Sequence, residues 1–180
     1  AEVNSGETGY NVVVFLSRDD NHYNTVSVRH ILIKAEKSAD GTYTDEAKAA
    51  AKARAEEILA EFNSGDKTED SFAELANKYS EDEGSNTNGG LYENIAKGQM
   101  VQEFNDFCFA GHKAGDTGIV YGESSSYAGY HVMYFVGAGE QYSDYLAKNS
   151  LLTSDMNAWL EELTSAYETS VGGGIRFVGK

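Results

Sequence analysis

Two stretches of this sequence, Val26-Ser-Val-Arg-His-Ile-Leu-Ile33 and Gly129-Tyr-His-Val-Met-Tyr-Phe-Val136, decide its fold. Both are rich in β-branched and aromatic residues, which favour strands that pack into a protein core. Because side chains alternate across a strand, the first stretch places four residues on one face: Val26, Val28, His30 and Leu32. Each predicted strand therefore carries one histidine, His30 or His131, among apolar neighbours.

Helical patterns lie between these two strands. Apolar residues recur at helical spacing over residues 45–63, which predicts a long helix that stops at Asn63-Ser64-Gly65. A second helix is predicted to begin at Ser71, with a capping box completed by Glu74. A third helix is predicted over Met100–Ala110, where apolar residues again recur at helical spacing.

Further strands and a final helix complete the pattern. Strands are predicted over residues 9–16, 91–95 and 118–121, and a loop over residues 122–128 precedes the strand of His131. A helix over about residues 154–167 carries an apolar stripe, and residues 175–178 are a candidate last strand. Few strands with helices clustered between them indicate an α+β fold, in which helices cover an antiparallel sheet.

Composition and charge argue against several classes of function. The chain has 180 residues, of which 41% are hydrophobic and 12% aromatic, enough to fill a core. Its net charge of −15 disfavours binding to nucleic acid or to an anionic membrane surface, since both attract basic proteins. No stretch approaches the roughly 18 consecutive apolar residues of a membrane span.

The cysteine and histidine content gives no support for a metal site. The single cysteine, Cys108, cannot form an internal disulfide, and it lies in an apolar helical stretch where we expect a core residue rather than a nucleophile. The four histidines lack the spacing of zinc ligands, and the acidic run over residues 80–90 lacks the ligand ladder of an EF-hand. We therefore expect no metal.

Four motifs occur in the order found in one protein family. They are Val28-Arg-His-Ile-Leu-Ile33, Phe72-Ala-Glu-Leu-Ala-Asn-Lys-Tyr-Ser80, Gly98-Gln-Met-Val-Gln-Glu-Phe104 after Gly89-Gly90, and Gly129-Tyr-His-Val132. Each motif alone is weak evidence, but four in sequence make a specific signal. On these residues the stretch 26–136 resembles the parvulins, which are peptidyl-prolyl cis/trans isomerases with an FKBP-like fold. The resemblance implies about four antiparallel strands covered by helices, with an extra N-terminal strand and a C-terminal helix.

The resemblance also assigns site residues. His30 and His131 match the paired histidines of the family, and Asp82 matches the Asp-or-Cys position after the second helix, so these three are the predicted catalytic residues. Met100 and Phe104 match the floor of the proline pocket. With Tyr92 and Phe109, they form the predicted substrate-binding set. A single histidine in a strand is usually a structural residue. A functional site is favoured here because both histidines match positions of the family's motifs.

The implied reaction is the rotation of an X-Pro amide. Because no bond is broken, it requires no nucleophile, metal or cofactor, and the implied partners are unfolded or extended polypeptides that contain X-Pro. Phosphate-directed members of the family carry a cluster of Lys and Arg after the first strand, whereas residues 34–42 contain no arginine. We therefore expect no selectivity for phosphorylated substrates.

Two departures from the family pattern leave a second hypothesis open. The family often has Phe, Tyr or Ser two residues before its Gly-Tyr-His or directly before its glycine, but here Ala128 precedes Gly129. The loop before Gly129 is also longer than in compact parvulins. Both features predict a more open proline pocket. They are also compatible with a chaperone or peptide-binding module of parvulin fold that lacks catalytic activity.

The parvulin-like stretch is similar to the parvulin domain of exported foldases of the PrsA and SurA type. In those proteins a chaperone part is built from segments on both sides of the parvulin domain. By this resemblance, residues 26–140 form the parvulin domain, whereas residues 1–25 and 141–180 are flanks that belong to a larger protein. The resemblance further implies export to the cell surface or the medium, with a lipid anchor on the full-length protein.

Overall fold

The two histidine-bearing strands lie at the centre of a four-stranded sheet in the computed structural model, which describes residues 2–4, 10–12, 20–124, 126–165 and 167. The strands are β1 (Glu2–Asn4), β2 (Tyr10–Val12), β3 (Asn24–Lys34), β4 (Leu91–Ile95), β5 (Thr117–Glu123) and β6 (Ala128–Gln141). The helices are α1 (Asp45–Ser64), α2 (Glu69–Tyr79), α3 (Gln102–Cys108) and α4 (Tyr142–Ser165).

The central sheet has the strand order β4-β3-β6-β5, and every neighbouring pair is antiparallel. The register of β3 with β6 pairs His30 with Met133 and Leu32 with His131. The two histidines therefore lie diagonally across one ladder on the same face, within reach of each other's side chains. The predicted α+β class with about four antiparallel strands is confirmed.

Helices cover both faces of this sheet. α1 and α2 pack on one face, around a cluster of buried residues that includes Ile31, Ile33, Val132, Ile58, Phe62 and Phe72. α3 packs on the opposite face, around Val26, Val28, Met133, Phe135, Phe104 and Cys108. The alternation predicted for β3 is confirmed, because its even-numbered residues from Val26 to Leu32 lie on the α3 side and its odd-numbered isoleucines on the other.

Cys108 is a core residue, as predicted. Its side chain is buried in the cluster under α3, and burial raises the pKa of its thiol to about 12. A thiol with such a pKa stays protonated at physiological pH, and the thiolate is the nucleophilic form. The cysteine therefore contributes to packing rather than to covalent chemistry.

The second helix begins earlier than its sequence predicted. α2 starts at Glu69, and the capping box is formed by Thr68 and Ser71, each accepting a hydrogen bond from the other's backbone N–H. The predicted box of Ser71 with Glu74 was wrong, because Thr68 offers an equally good cap three residues upstream. The hydroxyl of Ser71 accepts the second hydrogen bond of that box, from the backbone N–H of Thr68.

The third helix is shorter than predicted. α3 runs over Gln102–Cys108 only, since the preceding turn is held by side chains instead of helical backbone bonds. Gln99 accepts from the N–H of Ala96, and Asn105 accepts from the N–H of Gly98, which has a φ of +79°. Met100 therefore lies on a turn next to the helix and not within it.

The β5–β6 hairpin is also tighter than its sequence predicted. The strands extend to the pair Glu123 and Ala128, and the N–H of Ser124 donates to the carbonyl of Tyr127 across the turn. Residues 122, 123 and 128 of the predicted loop are therefore paired strand, and the turn itself is confined to residues 124–127. Residue 125 of the turn lies outside the described residues.

The last helix is longer than predicted and begins directly after β6. Carbonyl groups of Asn21 and Tyr23 accept from the N–H groups of Ser143 and Tyr142, which caps α4 at residue 142 and not near 154. None of its described residues is buried. Its exposed large hydrophobic residues are Leu146, Leu151, Leu152, Met156, Trp159, Leu160 and Leu163.

The N-terminal segment is described only in part. β1 and β2 form a separate antiparallel pair, so Tyr10–Val12 is a strand within the predicted range of residues 9–16, and the rest of that range lies outside the described residues. The candidate strand over residues 175–178 also lies outside them. In the ranges that the structure does describe, no helix has the length and apolar character to cross a bilayer.

Candidate active site

Strands β3 and β6 bring His30 and His131 into contact through their Nδ1 atoms, which lie 3.0 Å apart. The ring centroids are 5.1 Å apart, and the two residues are only 3% and 4% exposed. Buried ring nitrogens require hydrogen-bond partners, and each histidine supplies one to the other. The two Nε2 atoms are left to face the opposite ends of this pair.

The loop over residues 80–90 brings Asp82 to one end of the pair. Its Oδ2 accepts from His30 Nε2 at 2.9 Å, from Ser85 Oγ at 2.6 Å and from the Tyr92 hydroxyl at 3.1 Å. Hydrogen bonds of this kind stabilise a carboxylate. The bond from His30 is the largest cause that holds the pKa of Asp82 well below its ordinary value of 3.8. Asp82 is therefore charged at physiological pH.

Tyr127 occupies the other end of the pair, with its hydroxyl 3.0 Å from Nε2 of His131. Since a carboxylate can only accept, we assign to His30 Nε2 the proton donated to Asp82. In a neutral imidazole the second nitrogen then accepts, so His131 Nδ1 donates to His30 and His131 Nε2 accepts from Tyr127. The four side chains form one hydrogen-bond chain directed from Tyr127 to Asp82.

Burial sets the protonation state along this chain. It lowers the pKa of the His131 imidazole from 6.5 to about 3, so this ring is neutral at physiological pH. Burial is also the first cause that raises the pKa of Tyr92 and of Tyr127, and the negative charge of Asp82 is the second. Both phenols therefore remain protonated and act as hydrogen-bond donors.

A cavity of about 250 Å³ opens beside the hydrogen-bond chain. The apolar side chains that line it are Leu32, Met100, Val101 and Phe104. The ring of Phe104 stands edge-on to His30 and to His131, with centroid distances of 5.4 Å in both cases. The cavity thus has an apolar floor against a polar wall, an arrangement suited to a small apolar ring with a neighbouring amide.

The sequence of this site matches a known family. A family model described as the PPIC-type PPIase domain matches residues 10–136, more than half of the chain. The chain belongs to the parvulin-type peptidyl-prolyl isomerases. The match includes both histidine strands and the segment that carries Met100 and Phe104, so the paired histidines and the cavity floor lie within the region that defines the family.

Curated relatives of this parvulin are foldases. Foldase protein PrsA 3 of Bacillus cereus is 35% identical over 114 residues, which cover 63% of this chain and 32% of that protein. Foldase protein PrsA 1 of Listeria innocua is 32% identical over 139 residues, which cover 74% of this chain and 39% of that protein. The chain therefore matches between about a third and two fifths of the length of these relatives.

A solved structure shares the fold. The crystal structure of PrsA from Bacillus subtilis superposes with a TM-score of 0.51 at 22% identity, over 82% of this chain and 52% of that one. At this level of identity the similarity concerns the fold. It agrees with the four-stranded antiparallel sheet and the helices that cover it.

The structure brings the predicted site residues of this parvulin together, with one exception. The predicted residues that line the cavity are His30, Asp82, His131, Met100, Phe104 and Tyr92. Phe109 does not line it. Its ring packs edge-on against Tyr23 at a centroid distance of 5.8 Å, and the residue lies just beyond the last residue of α3. The roles of the six residues in catalysis stay predictions.

Sequence reasoning missed Tyr127 and Ser85, which complete the hydrogen-bond chain. The signal for Tyr127 was its position two residues before Gly129, where the family often has Phe, Tyr or Ser. Ala128 is fully buried and does not line the cavity, so the space predicted to be open beside it is bounded by Tyr127 instead. Ser85 lies three residues after Asp82 in a loop whose shape its sequence did not reveal.

The described residues include no group of three or more His, Cys, Asp and Glu side chains placed to hold a metal ion. The polar atoms of the site are instead committed to one another. Asp82 accepts three hydrogen bonds, and each histidine uses both ring nitrogens. The arrangement can orient donors and exclude water, which is sufficient for a reaction without covalent chemistry.

The buried histidine predicts how stability depends on pH. The folded state keeps the pKa of the His131 imidazole near 3, whereas the unfolded chain has the ordinary value of about 6.5. As pH falls below about 6.5, the imidazole is therefore protonated in the unfolded state but stays neutral in the folded state. Stability should fall between pH 7 and pH 5 by up to about 1.4 kcal/mol per pH unit, measured as the free energy of urea unfolding. This window lies above the titration of ordinary carboxyl groups.

The matched variants for this measurement are His131→Gln and His22→Gln. The first removes the buried imidazole and should flatten the pH dependence between pH 7 and pH 5. The second alters an exposed histidine, with 63% of its side chain accessible, and should leave the dependence as in the wild type. Equal slopes for the wild type and His131→Gln would contradict the assignment.

Proposed function

We propose that this chain catalyses the cis/trans rotation of X-Pro bonds in unfolded or extended polypeptides. One observation carries the proposal: the apolar floor of Met100 and Phe104 meets the polar wall of His30, Asp82 and His131 in a single cavity. A proline ring fits the floor, and its amide would then lie against the wall. Membership of the parvulin family supports the same activity.

The barrier to this reaction comes from amide resonance. Partial double-bond character makes rotation cost about 18–20 kcal/mol, so an uncatalysed X-Pro bond takes tens to hundreds of seconds to isomerise. A twisted amide has lost this resonance, and its carbonyl oxygen carries less negative charge. An enzyme accelerates rotation when it binds the twisted amide more strongly than the planar one.

The residues of the cavity favour the twisted amide in two ways. The apolar side chains of Leu32, Met100 and Phe104 remove water that would stabilise the polar planar form. The carboxylate of Asp82 lies in the same wall, and its charge opposes the negative carbonyl oxygen of a planar amide more than that of a twisted one. Both effects lower the barrier without a proton transfer.

The histidines act as positioning residues in this mechanism. Their shared Nδ1 contact and the bonds at both Nε2 atoms fix the rings, and Phe104 packs edge-on against both of them. The chain from Tyr127 to Asp82 therefore holds the wall rigid relative to the floor. A site that need not reorganise during the reaction stabilises a transition state most effectively.

The charge of the cavity predicts discrimination against phosphorylated substrates. Among the described residues its lining contains no Lys or Arg, and Asp82 is a carboxylate that repels a phosphate on the residue before proline. We expect kcat/KM for a phosphoserine-proline peptide to be at least about tenfold below that for the serine-proline peptide, measured by NMR exchange. The difference in kcat/KM between the two peptides should become smaller with added salt, which screens the repulsion. Faster rotation of the phosphopeptide would contradict this prediction.

We extend the proposal to the folding of exported proteins, because the curated relatives are foldases. The family resemblance also supports a location at the cell surface or outside the cell, with a lipid anchor on the full-length protein. Membrane fractionation of cells that produce the full-length protein would test the location. A wholly cytosolic distribution would contradict it.

Client refolding tests the foldase proposal. A client whose slow refolding phase reflects proline isomerisation should refold faster with sub-stoichiometric protein, while its fast phases stay unchanged. An unchanged slow phase, in the presence of measurable catalysis on peptides, would refute assistance to folding but not isomerase activity. The two parts of the proposal therefore fail separately.

The second hypothesis, a module that binds peptides without catalysis, has one observation in its favour. α4 exposes large apolar residues such as Leu151 and Trp159, which are suited to contacts with unfolded chains. An aggregation assay with an unfolded client distinguishes the hypotheses. Suppression of aggregation at equimolar protein without any acceleration of proline rotation would favour the module over the isomerase.

A further inference from the structure

Arg29 lies beside His30 in β3 but on the opposite face of the sheet, away from the cavity. Its side chain is only 14% exposed, and its Nε donates to Oε1 of Glu69 in the first turn of α2 at 2.9 Å. Its Nη1 donates to two consecutive carbonyls, those of Asn88 and Gly89, each at 3.0 Å. The Nε and Nη1 donors of this largely buried guanidinium are therefore committed to α2 and to the end of the loop over residues 80–90.

The glycines of this segment allow that approach. Gly89 and Gly90 have φ values of +73° and +69°, and a Cβ on Gly89 would lie 2.7 Å from Nη1 of Arg29. The carbonyl of Gly90 accepts from the backbone N–H of His30 at 2.9 Å. Three successive carbonyls, of residues 88, 89 and 90, are thus held by Arg29 and His30 together.

This segment in turn holds Ser85. The carbonyl of Ser85 accepts from the N–H of Asn88 at 3.1 Å and from that of Gly90 at 2.9 Å. Ser85 is fully buried, and its hydroxyl donates to Asp82 and lies 3.1 Å from Nε2 of His30. The position of Asp82 relative to His30 therefore depends on contacts that run back through Ser85 to the segment held by Arg29.

We propose that Arg29, oriented by Glu69, is a positioning residue that keeps Asp82 and Ser85 at hydrogen-bond distance from His30. The inference rests on the proposed isomerase function for its activity readout. Arginine suits the role because its planar fork presents several donors in fixed directions, one toward Glu69 and two toward the loop carbonyls. A lysine ammonium on a flexible stem cannot fix these three bonds at once.

Three variants test the role of Arg29 in the whole chain. Arg29→Lys is expected to lower kcat/KM for an Ala-Pro peptide about tenfold and Arg29→Ala up to about 100-fold, as expected for a displaced catalytic group. Glu69→Gln keeps an oxygen acceptor for Nε and should lose less than about threefold. Ring ¹⁵N signals of His30 should shift in both Arg29 variants as Nε2 loses its carboxylate partner.

The matched control is Arg54→Lys, which alters an exposed arginine paired with Glu57 at 2.8 Å. It should change neither kcat/KM nor the histidine signals. If Arg29→Ala fails to fold, Arg29→Lys decides the outcome. Folded Arg29 variants with wild-type His30 signals would overturn the proposal, whether or not their activity falls. If the wild type itself shows no isomerase activity, the proposed function fails, and the ¹⁵N signals still test the positioning role.

Discussion

Replacement of Gly90 by alanine is expected to cost about 3 kcal/mol or more in unfolding free energy and to abolish most isomerase activity. Gly90 has a φ of +69°, and a Cβ there would lie 2.1 Å from the carbonyl oxygen of His30 and 3.1 Å from Cβ of Ala76. The first clash is with backbone, so β3 and the loop must separate. Separation breaks the His30 N–H bond to Gly90 and withdraws Asp82.

The control for this variant is Gly41→Ala, measured by urea unfolding and by peptide rotation. Gly41 has a φ of +84° but lies in a turn where no atom of the described residues comes within 4 Å of the added Cβ. It therefore isolates the backbone strain, about 1–2 kcal/mol, and should keep full activity. Equal losses of unfolding free energy and equal isomerase activities in the two variants would contradict the prediction. They would show that the close approach of Gly90 to β3 does not determine the geometry of the site.

Phe104→Ala is expected to lower kcat/KM for an Ala-Pro peptide about 100-fold, or about 2.7 kcal/mol of transition-state stabilisation. The side chain is 3% exposed, forms the cavity floor and packs edge-on against both histidines. Its removal admits water beneath the bound proline and loosens both rings. The same change should cost about 3–5 kcal/mol of folding free energy, since it empties a core position.

Phe107→Ala separates activity from stability. Phe107 lies on the same helix and is buried in the same cluster, but it does not line the cavity. It should destabilise the fold about as much as Phe104→Ala while kcat/KM stays within about threefold of the wild type, both measured on protein that is shown to be folded. Equal losses of kcat/KM in the two variants would show that packing, and not the floor of a proline site, explains the effect.

Local patterns predicted the elements that build the site. Strand alternation placed His30 on the correct face of β3, because a period of two is a property of the backbone itself. The matching motifs then placed His131 and Asp82 with it. The diagonal contact of the two histidines follows from the register of β3 with β6, which pairs Leu32 with His131. That register involves strands far apart in the chain and could not be read from either one alone.

The predictions that were wrong or incomplete also concern features that tertiary contacts and turn geometry determine. Phe109 is predicted to belong to the substrate-binding set, but α3 ends at Cys108, and the direction of a residue beyond a helix end is set by tertiary contacts. Tyr127 and Ser85 lie on turns, where side-chain direction depends on dihedral angles that composition does not determine. The start of α4 was misplaced because its caps are backbone carbonyls of Asn21 and Tyr23, distant in sequence.

The central claim is that the cavity beside His30 and His131 accelerates proline rotation without bond chemistry. The most direct test is NMR exchange spectroscopy on an Ala-Pro peptide at equilibrium, with and without the wild-type chain at micromolar concentration. We predict that exchange between the cis and trans signals, slow on its own, becomes fast enough to measure, and that Phe104→Ala loses most of the effect. Exchange that stays at the uncatalysed rate with folded wild-type protein would contradict the claim.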